Sequence, residues 1–78
     1  MEYISIFFTH SGAIKYSRFL KKQNIKNKTL PVPRKLSSNC GIGVKFFYDK
    51  DVSEIITEDI EKIFKMSDKE YCCIYRNE

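Results

Sequence analysis

The residues best suited to chemistry lie in the segment 31–41, which reads PVPRKLSSNCG. Its one cysteine, Cys40, follows the basic residues Arg34 and Lys35 and directly precedes Gly41. Nearby cations and backbone N–H groups stabilise a thiolate, which is the nucleophilic form of cysteine. The segment therefore predicts a thiol that can hold a persulfide or perselenide, or form a mixed disulfide with a partner. The alternative is a cysteine that fills a small gap in a loop.

This segment resembles the signature of the selenium/sulfur carrier-like family, whose pattern is Pro-x-Pro-Arg-x-Leu/Ile-Ser-x-x-Cys-Gly followed by a strand with a basic residue. The matching residues are Pro31, Pro33, Arg34, Leu36, Ser37, Cys40, Gly41 and Lys45. The resemblance covers roughly residues 3–66. It implies a small carrier protein, rather than an enzyme, in which Cys40 takes up sulfur or selenium as a persulfide-type adduct.

In this interpretation Arg34, Lys35, Ser37 and the backbone of Gly41 stabilise the anionic sulfur. The carrier needs no cofactor, and a donor protein such as a cysteine desulfurase supplies the sulfur or selenium.

Three further residues could contribute to such a site. His10 precedes the first predicted helix and could pair with the Cys40 thiolate as an imidazolium, or could simply be a surface histidine. Cys72 and Cys73 are adjacent, so on a strand one should be buried and the other exposed. Whether either acts as a resolving thiol for Cys40 stays open. No spacing typical of metal ligands is present, so no metal site is predicted.

Charge is distributed unevenly along the chain. Between Tyr3 and Tyr48 there are nine Lys and Arg residues and no acidic residue, whereas acidic residues outnumber basic ones from Asp49 onward. The basic half should attract an anion, a nucleic acid or an acidic protein, unless it is only a solvated lysine surface.

Length and composition indicate a single globular domain, 1–78. The apolar run that ends at Thr9 is too short for a signal peptide or a membrane span. With an odd number of cysteines, three, and no secretory signal, the thiols should be reduced and the protein cytoplasmic, without membrane contact.

The order of the predicted elements defines a fold class. Strands are predicted at 3–8, 25–32, 41–48 and 70–76, and helices at 12–24 and 49–66. This order is typical of an α+β, ferredoxin-like βαββαβ fold, with a four-stranded antiparallel sheet in the order 4-1-3-2 and two helices on one face. In that fold the Cys40 loop, His10 and the start of the last strand share one end of the sheet.

Alternation along the strands predicts which side chains face the helices. These are Ile4, Ile6, Phe8, Ile42, Val44 and Phe46, which leaves Tyr3, Phe7, Lys45, Phe47, Tyr71 and Tyr75 on the opposite face. That apolar face could be covered by a second copy of the chain, as a homodimer, or by another partner, or could be merely an amphipathic surface. The competing function is a non-catalytic binding module, either a small-anion sensor or an RNA-binding sheet like that of RNA recognition motifs. Nucleic acid is the less favoured partner, because the strands match the RNA-binding motifs poorly.

Overall fold

The computed structural model describes residues 1–33, 36 and 41–77. Its elements are β1 (Glu2–Phe7), α1 (His10–Lys22), β2 (Asn27–Pro31), β3 (Ile42–Phe47), a 3₁₀ turn (Val52–Ile55), β4 (Ile60–Ser67) and β5 (Glu70–Arg76). The strands form one antiparallel sheet in the order β2-β3-β1-β4-β5. The predicted pairings of β1 with β3 and of β3 with β2 are therefore observed, but the other neighbour of β1 is β4 and not the last strand as predicted. β2 lies at an edge, where its terminal proline is tolerated.

The first helix begins directly after its capping residue, Thr9. The hydroxyl of Thr9 accepts a hydrogen bond from the Gly12 N–H at 3.0 Å, which satisfies a backbone donor left free by the first turn. Lys21 and Lys22 occupy the last turn, where positive charge complements the helix dipole. One side of α1 is buried against the sheet, and its residues are Gly12, Ala13, Tyr16, Ser17 and Leu20.

The predicted helix 49–66 is wrong, and with it the ferredoxin-like class with four strands and two helices. The segment forms only the 3₁₀ turn and then β4. Asp51 caps this turn by accepting a hydrogen bond from the Ser53 N–H at 3.0 Å. At Ile56 the backbone is already extended. β4 then pairs with β1 on one side and β5 on the other, and these backbone hydrogen bonds together with its isoleucines favour the strand.

A β-bulge explains why this segment has a helix-like spacing of apolar residues. Ile60 and Ile63 are both fully buried, although residues three apart on a regular strand point to opposite faces. The register between β1 and β4 shifts between Ile6 and Phe7, so that Ile60 lies opposite Phe7 and Ile63 opposite Ser5. The shift brings both isoleucines onto one face, and a bulged strand thus imitates the spacing of a helix.

The main core lies between the sheet and α1, and an aromatic cluster occupies its centre. The Tyr16 ring lies 5.3 Å from the ring of Phe7 and 6.1 Å from that of Phe46. Its hydroxyl donates a hydrogen bond to the Ile55 carbonyl at 2.8 Å, so the 3₁₀ turn is held to the helix. The buried members of this core are Tyr3, Phe7, Ala13, Tyr16, Leu20, Val44, Phe46, Val52, Ile55, Ile60 and Ile63.

The predicted orientation of β1 is wrong by one residue. Tyr3 and Phe7 face α1 and are buried, whereas Ile4 and Ile6 lie on the opposite face, and Phe8 is exposed. All of these positions in β1 are apolar, so alternation cannot choose between the two faces. Tyr75 also packs against the helix-side core instead of the opposite face. The aromatic platform proposed for RNA therefore loses Tyr3, Phe7 and Tyr75.

The face of the sheet away from α1 carries a second, smaller core. Ile4, Ile6 and Leu36 are buried in it, and half-buried side chains pack around them, namely Val32, Phe64, Met66 and Tyr71. The described part of the chain has no helix long and apolar enough to cross a membrane.

Candidate functional site

The motif segment, residues 31–41, connects β2 to β3. Pro31 pairs with Ile42 at the end of this hairpin. One step further, the Val32 N–H donates a hydrogen bond to the Gly41 carbonyl at 3.0 Å. The hairpin pairing thus extends to the residue that directly follows Cys40, and both ends of the motif loop are fixed to the sheet.

Gly41 is required by its backbone conformation rather than by lack of space. Its φ is +75°, in the left-handed region that other residues adopt only at a cost. A Cβ atom added there would meet no described heavy atom within 4 Å. The position therefore needs a backbone conformation that only glycine adopts readily.

Leu36 is the anchor of the motif loop. Only 5% of its surface is exposed, and it is buried with Ile4 and Ile6 on the face of the sheet away from α1. Its N–H donates a hydrogen bond to the Pro33 carbonyl at 2.9 Å. Sequence reasoning matched Leu36 to the family pattern but did not assign it a role. The signal was a single large apolar residue within an otherwise polar segment.

His10 lies beside the base of this loop. It is the first residue of α1 and is exposed. Together with Gly41 it lines an open pocket of about 340 Å³, whose other described walls are Thr29, Leu30, Pro31 and Ile42. The two residues line the same pocket because β3 starts where β1 ends, with Gly43 opposite Ile6, and α1 begins three residues after β1 ends. The predicted proximity of His10 to the end of the Cys40 loop is observed.

Four of the predicted site residues, Arg34, Lys35, Ser37 and Cys40, lie outside the described residues. Their assignment to the site stays a prediction from the sequence. The described residues contain no group of three or more His, Cys, Asp or Glu side chains arranged to hold a metal ion.

Cys72 and Cys73 differ from expectation in both exposure and location. Both are exposed, because β5 is an edge strand that α1 does not cover. They pair with Lys65 and Phe64 of β4, near the end of the sheet where β1 begins. The start of β5 therefore lies at the opposite end from Gly41. The extra strand β4 reverses the direction of the last strand. The prediction that the last strand starts at the same end of the sheet as His10 and the Cys40 loop was therefore wrong.

Comparison with known proteins confirms the family that the sequence resembles. The chain matches the family model described as "Putative Se/S carrier protein-like" over residues 2–72. Neither the curated proteins nor the solved structures compared with this chain gave a significant match. The family's description supports a role in carrying sulfur or selenium. Because the match covers nearly all of the sequence, the chain belongs to the Se/S carrier protein-like family.

Proposed function

We propose that the protein carries sulfur or selenium as a covalent adduct on Cys40. The observation that carries this proposal is the pocket shared by His10 and Gly41, because Gly41 directly follows the motif cysteine. A carrier needs a thiol that a second protein can approach, and this pocket is open to solvent at the base of the motif loop. Family membership supports sulfur or selenium as the cargo, and the pocket of His10 and Gly41 supports the neighbouring Cys40 as its carrier.

The loading step is a transfer of sulfane sulfur between two thiols. The Cys40 thiolate attacks the outer sulfur of a donor persulfide, R–S–SH, and a new S–S bond forms as the donor's S–S bond breaks. The donor leaves as the thiolate R–S⁻, and Cys40 carries the –S–SH group. No net oxidation or reduction occurs, so neither a cofactor nor a metal is required. A donor R–S–SeH delivers selenium by the same attack.

Several groups could lower the pKa of the attacking thiol and stabilise the persulfide anion that it forms. His10 contributes an imidazole. It is also the first residue of α1, and the backbone N–H donors of this N-terminal turn carry partial positive charge. Arg34 and Lys35 add two cations within six residues of Cys40 in the sequence. Ser37 adds a hydroxyl donor, and Gly41, which directly follows Cys40, adds its backbone. We assign these residues to stabilisation of the anion, and Cys40 to bond formation.

The test begins with the pH dependence of alkylation of Cys40. Cys72 and Cys73 are replaced with serine so that mass spectrometry reports one thiol only. An apparent pKa well below the usual value of about 8.5 supports a thiolate site. The same variant is then incubated with inorganic polysulfide, and the gain of one sulfur atom is measured. Loading that persists in a further Cys40→Ser variant would overturn the proposal.

The partner that loads the protein is proposed to be a cysteine desulfurase, since that class of enzyme holds sulfur as a cysteine persulfide. An anion sensor makes the opposite mutational prediction. It keeps its ligand in Cys40→Ser and loses it in Arg34→Ala, whereas a carrier loses its cargo in Cys40→Ser. Measuring sulfate and phosphate binding by the two variants separates the two functions.

A further inference from the structure

We infer that the outer face of α1 docks an acidic segment of a partner protein that also carries apolar side chains. This outer face is the surface formed by Ser11, Ile14, Lys15, Arg18, Phe19 and Lys22. These residues recur at intervals of three and four, so they lie along the side of the helix turned away from the sheet. They enclose a shallow depression of about 450 Å³.

The charged residues of this face are all basic. Arg18 and Lys22 are both exposed, and within the described part of the chain neither has a carboxylate within 4 Å. α1 itself contains no acidic residue, and none occurs anywhere between Tyr3 and Tyr48. Two neighbouring cations without counter-charges repel one another and attract an acidic partner.

Apolar side chains lie between these cations. Ile14 is 39% exposed, and Phe19 is only partly buried against the core. Phe19 also lines an adjoining pocket of about 260 Å³ between α1 and the segment that precedes β4. The exposed isoleucine and the exposed part of the phenylalanine lie beside a depression, and their burial by a partner would contribute roughly 25 cal/mol per Å² of apolar surface.

The charges fix the orientation of the partner. Lys15 already lies 3.5 Å from a carboxylate oxygen of Asp59, and Glu58 stands beside it in the adjoining pocket. The end of the face near Lys15 is therefore nearly neutral, whereas the end near Arg18 and Lys22 is positive. Acidic residues of the partner should contact Arg18 and Lys22, and its apolar residues should contact Ile14 and Phe19.

This combination favours a protein over a nucleic acid or a membrane. An RNA surface would need several exposed aromatic rings for base stacking, and this face offers only Phe19. A helix that lies in a bilayer interface exposes a broad apolar stripe, whereas the apolar stripe of α1 faces the sheet. Two apolar residues flanked by cations match the mixed character of a protein interface.

The face also lies next to the candidate thiol site. Ser11, at one end of the face, follows His10, which lines the pocket with Gly41. A partner bound along α1 would thus reach the base of the motif loop. Only the identification of this partner as a donor or acceptor of sulfur or selenium rests on the proposed function, and the docking itself does not require Cys40.

The test is a set of nuclear magnetic resonance titrations of the ¹⁵N-labelled protein. The three probes are a synthetic amphipathic peptide of Glu and Leu, a single-stranded RNA oligonucleotide, and vesicles that contain phosphatidylglycerol. We expect the peptide to shift the amides of Ile14, Arg18 and Lys22, with an affinity that falls as salt rises. Tighter binding of the RNA or the vesicles, or peptide-induced shifts confined to other surfaces, would overturn the inference, as would no shift at all.

Matched variants make the titration decisive. Arg18→Glu should weaken peptide binding by about tenfold, whereas Lys28→Glu, the same charge change on β2, should alter it by no more than about twofold. Lys28 is exposed and lies opposite Lys45 in the register. Ile14→Ser tests the apolar part of the face. Equal effects of Arg18→Glu and Lys28→Glu would show a response to net charge only and would contradict a docking site. All titrations use Cys40→Ser protein, so failure of the carrier chemistry cannot be confused with failure of docking.

Discussion

His10 and Gly41 line the same open pocket, although one begins the helix and the other ends the loop between β2 and β3. The relationship arises because β1 and β3 are antiparallel neighbours, so the end of β1 and the start of β3 lie together. It brings the one histidine of the chain next to the residue that follows the motif cysteine. The role proposed for His10 at that cysteine can therefore be tested by mutation.

The first prediction concerns the replacement of His10 by glutamine. Under the proposed function, loss of the His10 imidazole should raise the pKa of Cys40 and slow its alkylation at neutral pH by about threefold. Alkylation is followed by mass spectrometry across pH in protein that lacks Cys72 and Cys73. Ser11→Ala, one residue along the same helix turn, is the control and should leave the profile unchanged. Identical profiles for both variants would remove His10 from the site.

The second prediction concerns the anchor of the motif loop. Leu36→Ala removes a side chain buried with Ile4 and Ile6, and the free energy of unfolding should fall by about 2–3 kcal/mol. Urea denaturation measures this loss. Leu30→Ala, at a half-buried position of β2, should cost less. If Leu36→Ala cost no more than Leu30→Ala, the packing of the loop against the sheet would be contradicted.

The third prediction distinguishes two glycines by the reason each is needed. Gly41→Ala places a Cβ at a φ of +75° and should cost about 1 kcal/mol of stability, while Gly41→Asn should cost less because asparagine tolerates this region. Gly43→Ala instead brings a Cβ within 3.0 Å of the Ser5 carbonyl oxygen in the middle of the sheet. It should be the most damaging of the three. Thermal unfolding of the three variants gives the order.

The fourth prediction concerns the dependence of stability on alkaline pH. Burial, with a smaller contribution from Tyr48, raises the pKa of Tyr16 far above its usual value. The unfolded chain therefore loses this proton at about pH 10 while the folded protein keeps it. The stabilising effect is complete below pH 10 and is lost as the pH rises further toward the folded pKa, so the free energy of unfolding should fall there.

Tyr16→Phe tests this alkaline effect. It removes the hydrogen bond to Ile55 and should cost about 1 kcal/mol at neutral pH. It should also make the decline above pH 10 shallower, because the phenol that titrates is gone. Tyr71→Phe, at a half-buried position on β5, serves as the control and should keep the steep decline. Urea denaturation at a series of pH values follows both, and an unchanged slope in Tyr16→Phe would contradict the assignment.

The first half of the fold could be predicted from local patterns. β1, α1, β2 and β3 each have a period, a cap or a chain-breaking residue that indicates their type, and Thr9 is observed as the cap of α1. The motif around Cys40 likewise identified the family from residue types and spacing alone. These features depend on residues that are close together in the sequence, so they can be predicted from the sequence.

The second half was decided by contacts between distant residues. Ile60 and Ile63 have a spacing that fits a helix, and only the pairing of β4 with both β1 and β5 makes the segment a bulged strand. The orientation of β1 was equally undetermined, because large apolar residues lie on both of its faces and its one buried polar residue, Ser5, lies on the helix side. Ser5 can face the helix because its hydroxyl donates a hydrogen bond to the Val44 carbonyl at 3.1 Å.

The sequence by itself determined the family, the candidate thiol and the elements up to β3, because these depend on residue types and short-range periodicity. The tertiary structure alone decided the fifth strand, the face of β1, the burial of Leu36 and the distance of β5 from the pocket of His10 and Gly41. Each of these outcomes depends on long-range pairing across the sheet. A local pattern cannot specify such pairing when it fits both a helix and a strand, or when it allows either face of a strand to be the buried one.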